Sequence, residues 1–310
     1  MGRSNKFFFW LGIVLVLGSF SFWQRQLLRQ TVSALKGQRL LLSPLSSVKE
    51  TAQILGEITT ISSEGDLGEV GEEKEILAQA AYTYDLSWGK LILEKNAFTR
   101  LPAASTVKIV TAAVALDRGK LNEEMTVNYF PTLVGESSMN LGFGEKFSLE
   151  ELLYGLLVTS GNDAAETIAQ GLAGKREIFV SWMNEYGQKL GAENTRFTTP
   201  SGLDEEGQYT TAYDLFLMGR EIFNHYPKIL EISATKEKYL PRTAGHKAYL
   251  LRNKLLLLDD FAFLGVKPGL GEQGKMSLVA LMKVKERRFL VVLIRTDSLR
   301  HDLTRILEKI

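Results

Sequence analysis

The pattern of apolar and polar positions divides the chain into an apolar N-terminal run, a polar stretch and a long globular part. Residues 7–23, FFFWLGIVLVLGSFSFW, contain no charge, and their length is at the short edge of what crosses a bilayer. Trp10 and Trp23 suit the two membrane interfaces. Arg3 and Lys6 precede the run, and Arg25, Arg29, Lys36 and Arg39 follow it, so charge bias does not orient it. A cleavable signal peptide is the competing reading. No small-x-small site stands before Gln24, and the expectation is an uncleaved transmembrane helix behind a short cytoplasmic segment, residues 1–6. Residues 24–75 read as a tether. Their first part has some helical periodicity (Leu27, Leu28, Val32, Leu35), and their second is small, polar and acidic from Ser62 to Glu69.

A folded domain is expected over residues 76–310. ILAQAAYTYDLSWGKLILEKN reads as a β-hairpin turning near Trp88-Gly89. A helix is predicted from Ser105 to about Arg118, closed by Gly119. Its apolar residues lie all round, which predicts burial on most sides. Ser148-Leu149-Glu150-Glu151 forms a capping box, with Phe147 and Leu152 placed for a hydrophobic staple. The helix it opens should end at Ser160-Gly161-Asn162, with another starting near Ala164. Thr211 and Asp214 signal a helix over residues 212–223. Residues 265–267, 277–281 and 289–294 are β-rich, and residues 301–310 form a last amphipathic helix. Strands at both ends with helices between predict an α/β sandwich carrying a helical insertion.

Composition narrows the chemistry. The chain has 310 residues, 45% hydrophobic and 24% charged, with a net charge of +1. That is globular, and offers no basic field for nucleic acid. It has no cysteine, which removes thiolate nucleophiles, Zn–Cys sites and iron–sulfur clusters. Its three histidines, His225, His246 and His301, are far apart and match no metal-binding spacing.

Three short elements stand out. In Ser105-Thr106-Val107-Lys108, positions i and i+3 share a helical face, so hydroxyl and amine can meet. The Ser105 N–H also lies at the positive end of the helix dipole. Burial would strip Lys108 of its charge and make it a base for Ser105. In Ser160-Gly161-Asn162, Ser160 can relay a proton to a leaving amine and the Asn162 amide can hold a substrate peptide group. In Lys267-Pro268-Gly269-Leu270, a strand-borne cation can face a substrate carboxylate, and Gly269 admits a substrate backbone. Taken singly, each has an ordinary structural reading: an N-cap with a surface lysine, a helix-ending turn, and a strand end.

Together, Ser-x-x-Lys, Ser-x-Asn and Lys-x-Gly in this order resemble the motifs of penicillin-binding proteins and serine β-lactamases. The segments PAASTVKIVTAAVAL, SLEELLYGLLVTSGNDAAE, FVSWMNEYGQKLGAENTRFTTPSGL and YTTAYDLFLMGREI are similar to the D-alanyl-D-alanine carboxypeptidase family. The resemblance covers residues 76–310. It implies a penicillin-binding/β-lactamase-like fold, an antiparallel sheet flanked by helices with an inserted all-helical subdomain. It also implies a serine DD-peptidase outside the membrane that acylates its serine with a peptidoglycan stem peptide. Penicillins and other β-lactams would be trapped on that serine, and no metal or organic cofactor is used. Carried onto this chain, Ser105 is the nucleophile and Lys108 its base. Ser160 relays the proton, Asn162 orients substrate and Lys267 supports the carboxylate. The backbone N–H groups of Ser105 and Leu270 form the oxyanion hole.

The chain departs from the family where threonine usually lies between the lysine and glycine of the third motif. Pro268 has neither hydroxyl nor N–H. The lost hydrogen bond to a substrate carboxylate is worth about 1.5–3 kcal/mol. Gly271-Glu272-Gln273-Gly274 is also unusual for the family. An impaired wall-binding protein and a DD-endopeptidase therefore stand as alternatives. A β-lactamase lacks a Glu-x-x-Leu-Asn-like segment here, and a Ser-His-Asp hydrolase lacks its Gly-x-Ser-x-Gly elbow.

Overall fold

The computed structural model describes residues 76–203, 205–255 and 257–310, without the side chain of Glu272. The expected anchor (7–23) and tether (24–75) lie outside them. No helix among the described residues is long and apolar enough to cross a membrane.

The expected hairpin is present as β1 (Ala80–Asp85) and β2 (Lys90–Lys95), with Gly89 supplying the positive φ its turn requires. The three C-terminal strands are longer than the sequence pattern suggests: β7 (Phe263–Leu270), β8 (Met276–Val284) and β9 (Arg287–Thr296). All five pair antiparallel in the order β2-β1-β9-β8-β7. Residues 289–294 of β9 are all fully buried, and their alternation sends them to two cores. Leu290, Val292 and Ile294 face the helices; Val291 and Leu293 face the C-terminal helix α7 (Leu299–Glu308) and Leu255. β7 is an edge strand, which is why Pro268 fits without costing the sheet an interior hydrogen bond.

The chain from 104 to 252 lies between β2 and β7. A 3-10 turn (Ala104–Val107) leads into α1 (Lys108–Arg118), so Ser105 sits in a tighter turn than the α-helix start expected for it. Residues 108–115 of α1 are all buried, as the all-round apolar pattern predicts. The capping box is realised at α2 (Leu149–Val158): Ser148 Oγ accepts from Glu151 N and Glu151 accepts from Ser148 N. α3 (Asn162–Ala173) starts two residues before the expected Ala164, drawing Asn162 into its first turn. α4 (Arg176–Lys189), α5 (Ala212–His225, capped by Thr211) and α6 (Pro227–Ser233) complete the helices. The insert is not wholly helical. Two short ribbons run through it, β3 (Glu124–Thr126) with β4 (Lys146–Ser148), and β5 (Glu237–Leu240) with β6 (Tyr249–Arg252).

The domain is closed by a buried carboxylate. Asp302 of α7 accepts from the N–H groups of Leu77 (2.7 Å) and Ala78 (2.9 Å). That pins the first described residues to the last helix.

Candidate active site

The cleft forms where three chain segments meet with no room between them. Ala104 adopts φ +49, and opposite it Gly202 adopts φ +79. A Cβ on Gly202 would overlap the Ala104 carbonyl oxygen. At Gly269 of β7, a Cβ would lie 3.0 Å from Ala103 O and Ser105 N and 3.1 Å from Thr106 N. The sequence reading of Gly269 as space for a substrate backbone is corrected by this contact. What approaches it is the chain's own 103–106 turn, which fixes β7 beside Ser105.

Ser105 is half-buried and reachable, whereas Lys108 is fully enclosed. The Lys108 amine lies 2.6 Å from Ser105 Oγ, 2.8 Å from Asn162 Oδ1 and 2.5 Å from the Ser201 carbonyl. Burial, reinforced by the charge of Lys267, pushes its pKa well below the usual lysine range. A buried amine whose charged form is disfavoured, one turn from a reachable hydroxyl, can act as its general base.

Ser160 is the next hydroxyl, buried and held at φ +58. Such strain in a non-glycine residue is sustained only by surrounding structure. Lys267, 1% exposed, donates to Ser160 Oγ (2.9 Å) and to the Pro268 carbonyl (2.7 Å). Burial and the charge of Lys254 lower its pKa to about 7. The strand-borne cation expected to face a substrate carboxylate is enclosed beneath Ser160. Asn162 is enclosed as well. Its Oδ1 is on Lys108, its Nδ2 donates to Gly135 O (3.0 Å), and it is 2% exposed. Leu270 is exposed at the mouth and lines the cleft with Ser105.

Sequence reasoning missed three contributors. The Ser201 carbonyl holds Lys108, and a backbone acceptor leaves no side-chain signal; TPSGL marks it only by similarity. Asp163 ties the 138–141 loop to the Ser-Gly-Asn turn, accepting from Ser138 Oγ (2.6 Å), Met139 N (2.9 Å) and Leu141 N (3.0 Å). Glu166 lies one helical turn beyond Asn162, 1% exposed. Its Oε1 is 3.3 Å from Arg176 Nε without hydrogen-bond geometry, and its Oε2 has no partner. Burial therefore outweighs the pull of Arg176 and raises its pKa to about 7. Burial works against the charge of Arg176, but its 2.7 Å bond to Glu205 and the neighbouring carboxylates outweigh it, so Arg176 holds its proton more firmly. Among the described residues, no group of His, Cys, Asp or Glu side chains is arranged to hold a metal.

The sheet, its insert and the Ser–Lys pair define a domain of the penicillin-binding type. The chain belongs to the D-alanyl-D-alanine carboxypeptidase family, whose model matches residues 68–298. It is similar to the D-alanyl-D-alanine carboxypeptidase DacF of Bacillus subtilis, 34% identical over 220 residues, covering 69% of this chain and 56% of that protein. The Escherichia coli carboxypeptidase DacC is 33% identical over 244 residues, covering 74% and 60%. The chain thus spans less than two thirds of these relatives' length. A solved D-alanyl-D-alanine carboxypeptidase from Mycobacterium tuberculosis superposes with TM-score 0.71 at 28% identity, covering 79% of this chain and 94% of that one. A variant of a Streptomyces DD-transpeptidase gives TM-score 0.70 at 26% identity, covering 76% and 97%.

Proposed function

We propose that this protein is a serine DD-peptidase that removes the terminal D-residue from peptidoglycan stem peptides through an acyl-enzyme on Ser105. The observation that carries this reading is the 2.6 Å contact between Ser105 Oγ and the fully buried amine of Lys108, whose pKa burial holds well below the usual lysine range. Lys108 takes the Ser105 proton as Oγ attacks the penultimate D-alanyl carbonyl. The oxyanion is received by the N–H groups of Ser105 and Leu270, each donor worth about 3–4 kcal/mol of barrier. Ser160, bonded to Lys267, passes a proton to the departing amine. Asn162 acts chiefly by holding Lys108, and Lys267 acts through Ser160. Water then cleaves the ester with Lys108 again as base. β-Lactams form the same ester and stall there.

Residues 7–23 serve as a single-pass anchor with the domain on the outer side of a bacterial cell membrane. The support is the uncharged run and the location of the substrate. Pro268 favours a second reading, an enzyme that acylates but turns over D-alanyl-D-alanine slowly.

The test is a fluorescent penicillin applied to the membrane-bound protein. Covalent labelling that disappears in Ser105→Ala supports the reading. A folded wild type that does not label excludes it.

A further inference from the structure

Two compartments open beside Ser105. One, of about 430 Å³, is bordered by Ser160, Pro268, Leu257, Met276 and Leu299. The other, of about 600 Å³, is bordered by Gly202, Leu203, Glu205 and Gly271. Ser160 lines the first and not the second. The hydroxyl that protonates the leaving amine must stand on the leaving-group side, so the first compartment receives the departing residue. This assignment rests on the peptidase reading above.

That compartment is larger and more apolar than a departing D-alanine requires. Leu255, Leu257, Pro268, Leu270, Met276 and Leu299 give its wall a largely apolar face, with Ser137, Ser298 and the exposed Glu136 also on its border. Pro268 offers neither hydroxyl nor N–H to a carboxylate there. Its cations, Lys254 and Arg300, belong to the rim: Lys254 is exposed, and Arg300 is 61% exposed and donates to Asp260 at 2.6 Å. A departing residue thus meets apolar surface within and, at the mouth, the cations of Lys254 and Arg300 together with the exposed carboxylate of Glu136. The geometry points to stem peptides that end in a D-amino acid with a bulky apolar side chain, such as D-leucine or D-methionine, as the substrates this cleft prefers. The side chain fills the compartment, and the carboxylate emerges toward Lys254 and Arg300.

The chemistry is unchanged and balanced. The Ser105 Oγ–carbonyl bond forms and the amide C–N bond breaks. The proton taken from Ser105 ends on the amine of the departing D-residue, and water later cleaves the ester to regenerate Ser105. Each methylene removed from water favours the larger residue about fourfold. Leucine should therefore exceed alanine by roughly tenfold or more.

The full chain is incubated with diacetyl-L-Lys-D-Ala-D-Ala and with its D-Leu- and D-Met-terminated analogues, and the released D-amino acid is measured. The expected result is a kcat/KM at least about tenfold higher for D-Leu than for D-Ala. Leu257→Ser and Met276→Ser, both at partly exposed positions, should each lower that ratio, with thermal melts confirming that they fold. D-Ala released as fast as D-Leu, or a ratio unmoved in both folded variants, overturns the preference. A penicillin adduct on Ser105 measured on the same sample separates the two failures. With the adduct present, equal release sinks only the compartment assignment. With neither adduct nor release, the peptidase reading falls and takes the preference with it.

Discussion

The two walls of the cleft are built on opposite principles. On the helical wall, polar side chains are buried and nearly all are paired: Lys108 with Ser105, Asn162 and Ser201, Ser160 with Lys267, Asp163 with the 138–141 loop. On the strand wall, apart from Lys267, the side chains of Pro268, Leu270 and Met276 present apolar surface, continued by Leu299 of α7. Buried polar networks are costly unless complete, and removing one member leaves the others unpaired. The helical wall is therefore intolerant of change. The apolar side chains of the strand wall can change without leaving a polar group unpaired, and Pro268 stands among them.

The largest expected effect comes from breaking the helical wall. Lys108→Met should slow acylation by fluorescent penicillin by at least about 10³-fold, the upper range for loss of a positioned base. Stopped-flow labelling measures it, and a loss under tenfold would place the base elsewhere.

Glu166 tests how much stability that wall gives up to bury charge. Its folded pKa of about 7 lies above its unfolded value of 4.5. The folded state thus binds the proton more tightly, and this contribution to stability is full below pH 4.5 and lost as pH rises through 7. The shift corresponds to roughly 3 kcal/mol at most. Glu166→Gln should be more stable than wild type at pH 8 and show no advantage at pH 4.5 in paired urea titrations. A constant difference across that window would contradict the assignment.

The strand wall is sharpened by Pro268→Thr. Restoring a hydroxyl for the carboxylate should raise D-Ala release by about 10- to 100-fold, the worth of a charged hydrogen bond. It should also narrow the D-Leu over D-Ala ratio. No change in either would mean that Pro268 does not set specificity.

The smallest effect connects the walls. The charge of Lys267 helps hold the Lys108 pKa down. In Lys267→Met the Lys108 pKa should rise, moving the acid limb of the acylation profile to higher pH. An unmoved limb in a folded variant would show that burial alone discharges Lys108.

The legible parts of the sequence were the local ones. Ser105 and Lys108 are three residues apart, the Ser148–Glu151 box is self-contained, and residues 289–294 of β9 are an unbroken apolar run. What was missed depends on distant residues. β3 and β4 have three residues each, too few to show a period. α4 buries only Phe179, Met183 and Gly187, a stripe too narrow to stand out among its charges. Leu257, Met276 and Leu299 come from three separate elements, and only the fold brings them together as one wall. The role expected for Gly269 failed for the same reason, since its neighbour is a turn far away in sequence.

The proposed chemistry makes an ester of Ser105 with Lys108 as its base. Mass analysis of intact protein after incubation with benzylpenicillin, followed by peptide mapping, tests it most directly. The account predicts one penicilloyl adduct on the peptide containing Ser105, and none in Ser105→Ala. A folded protein that stays unmodified, or one modified at another residue, would contradict it.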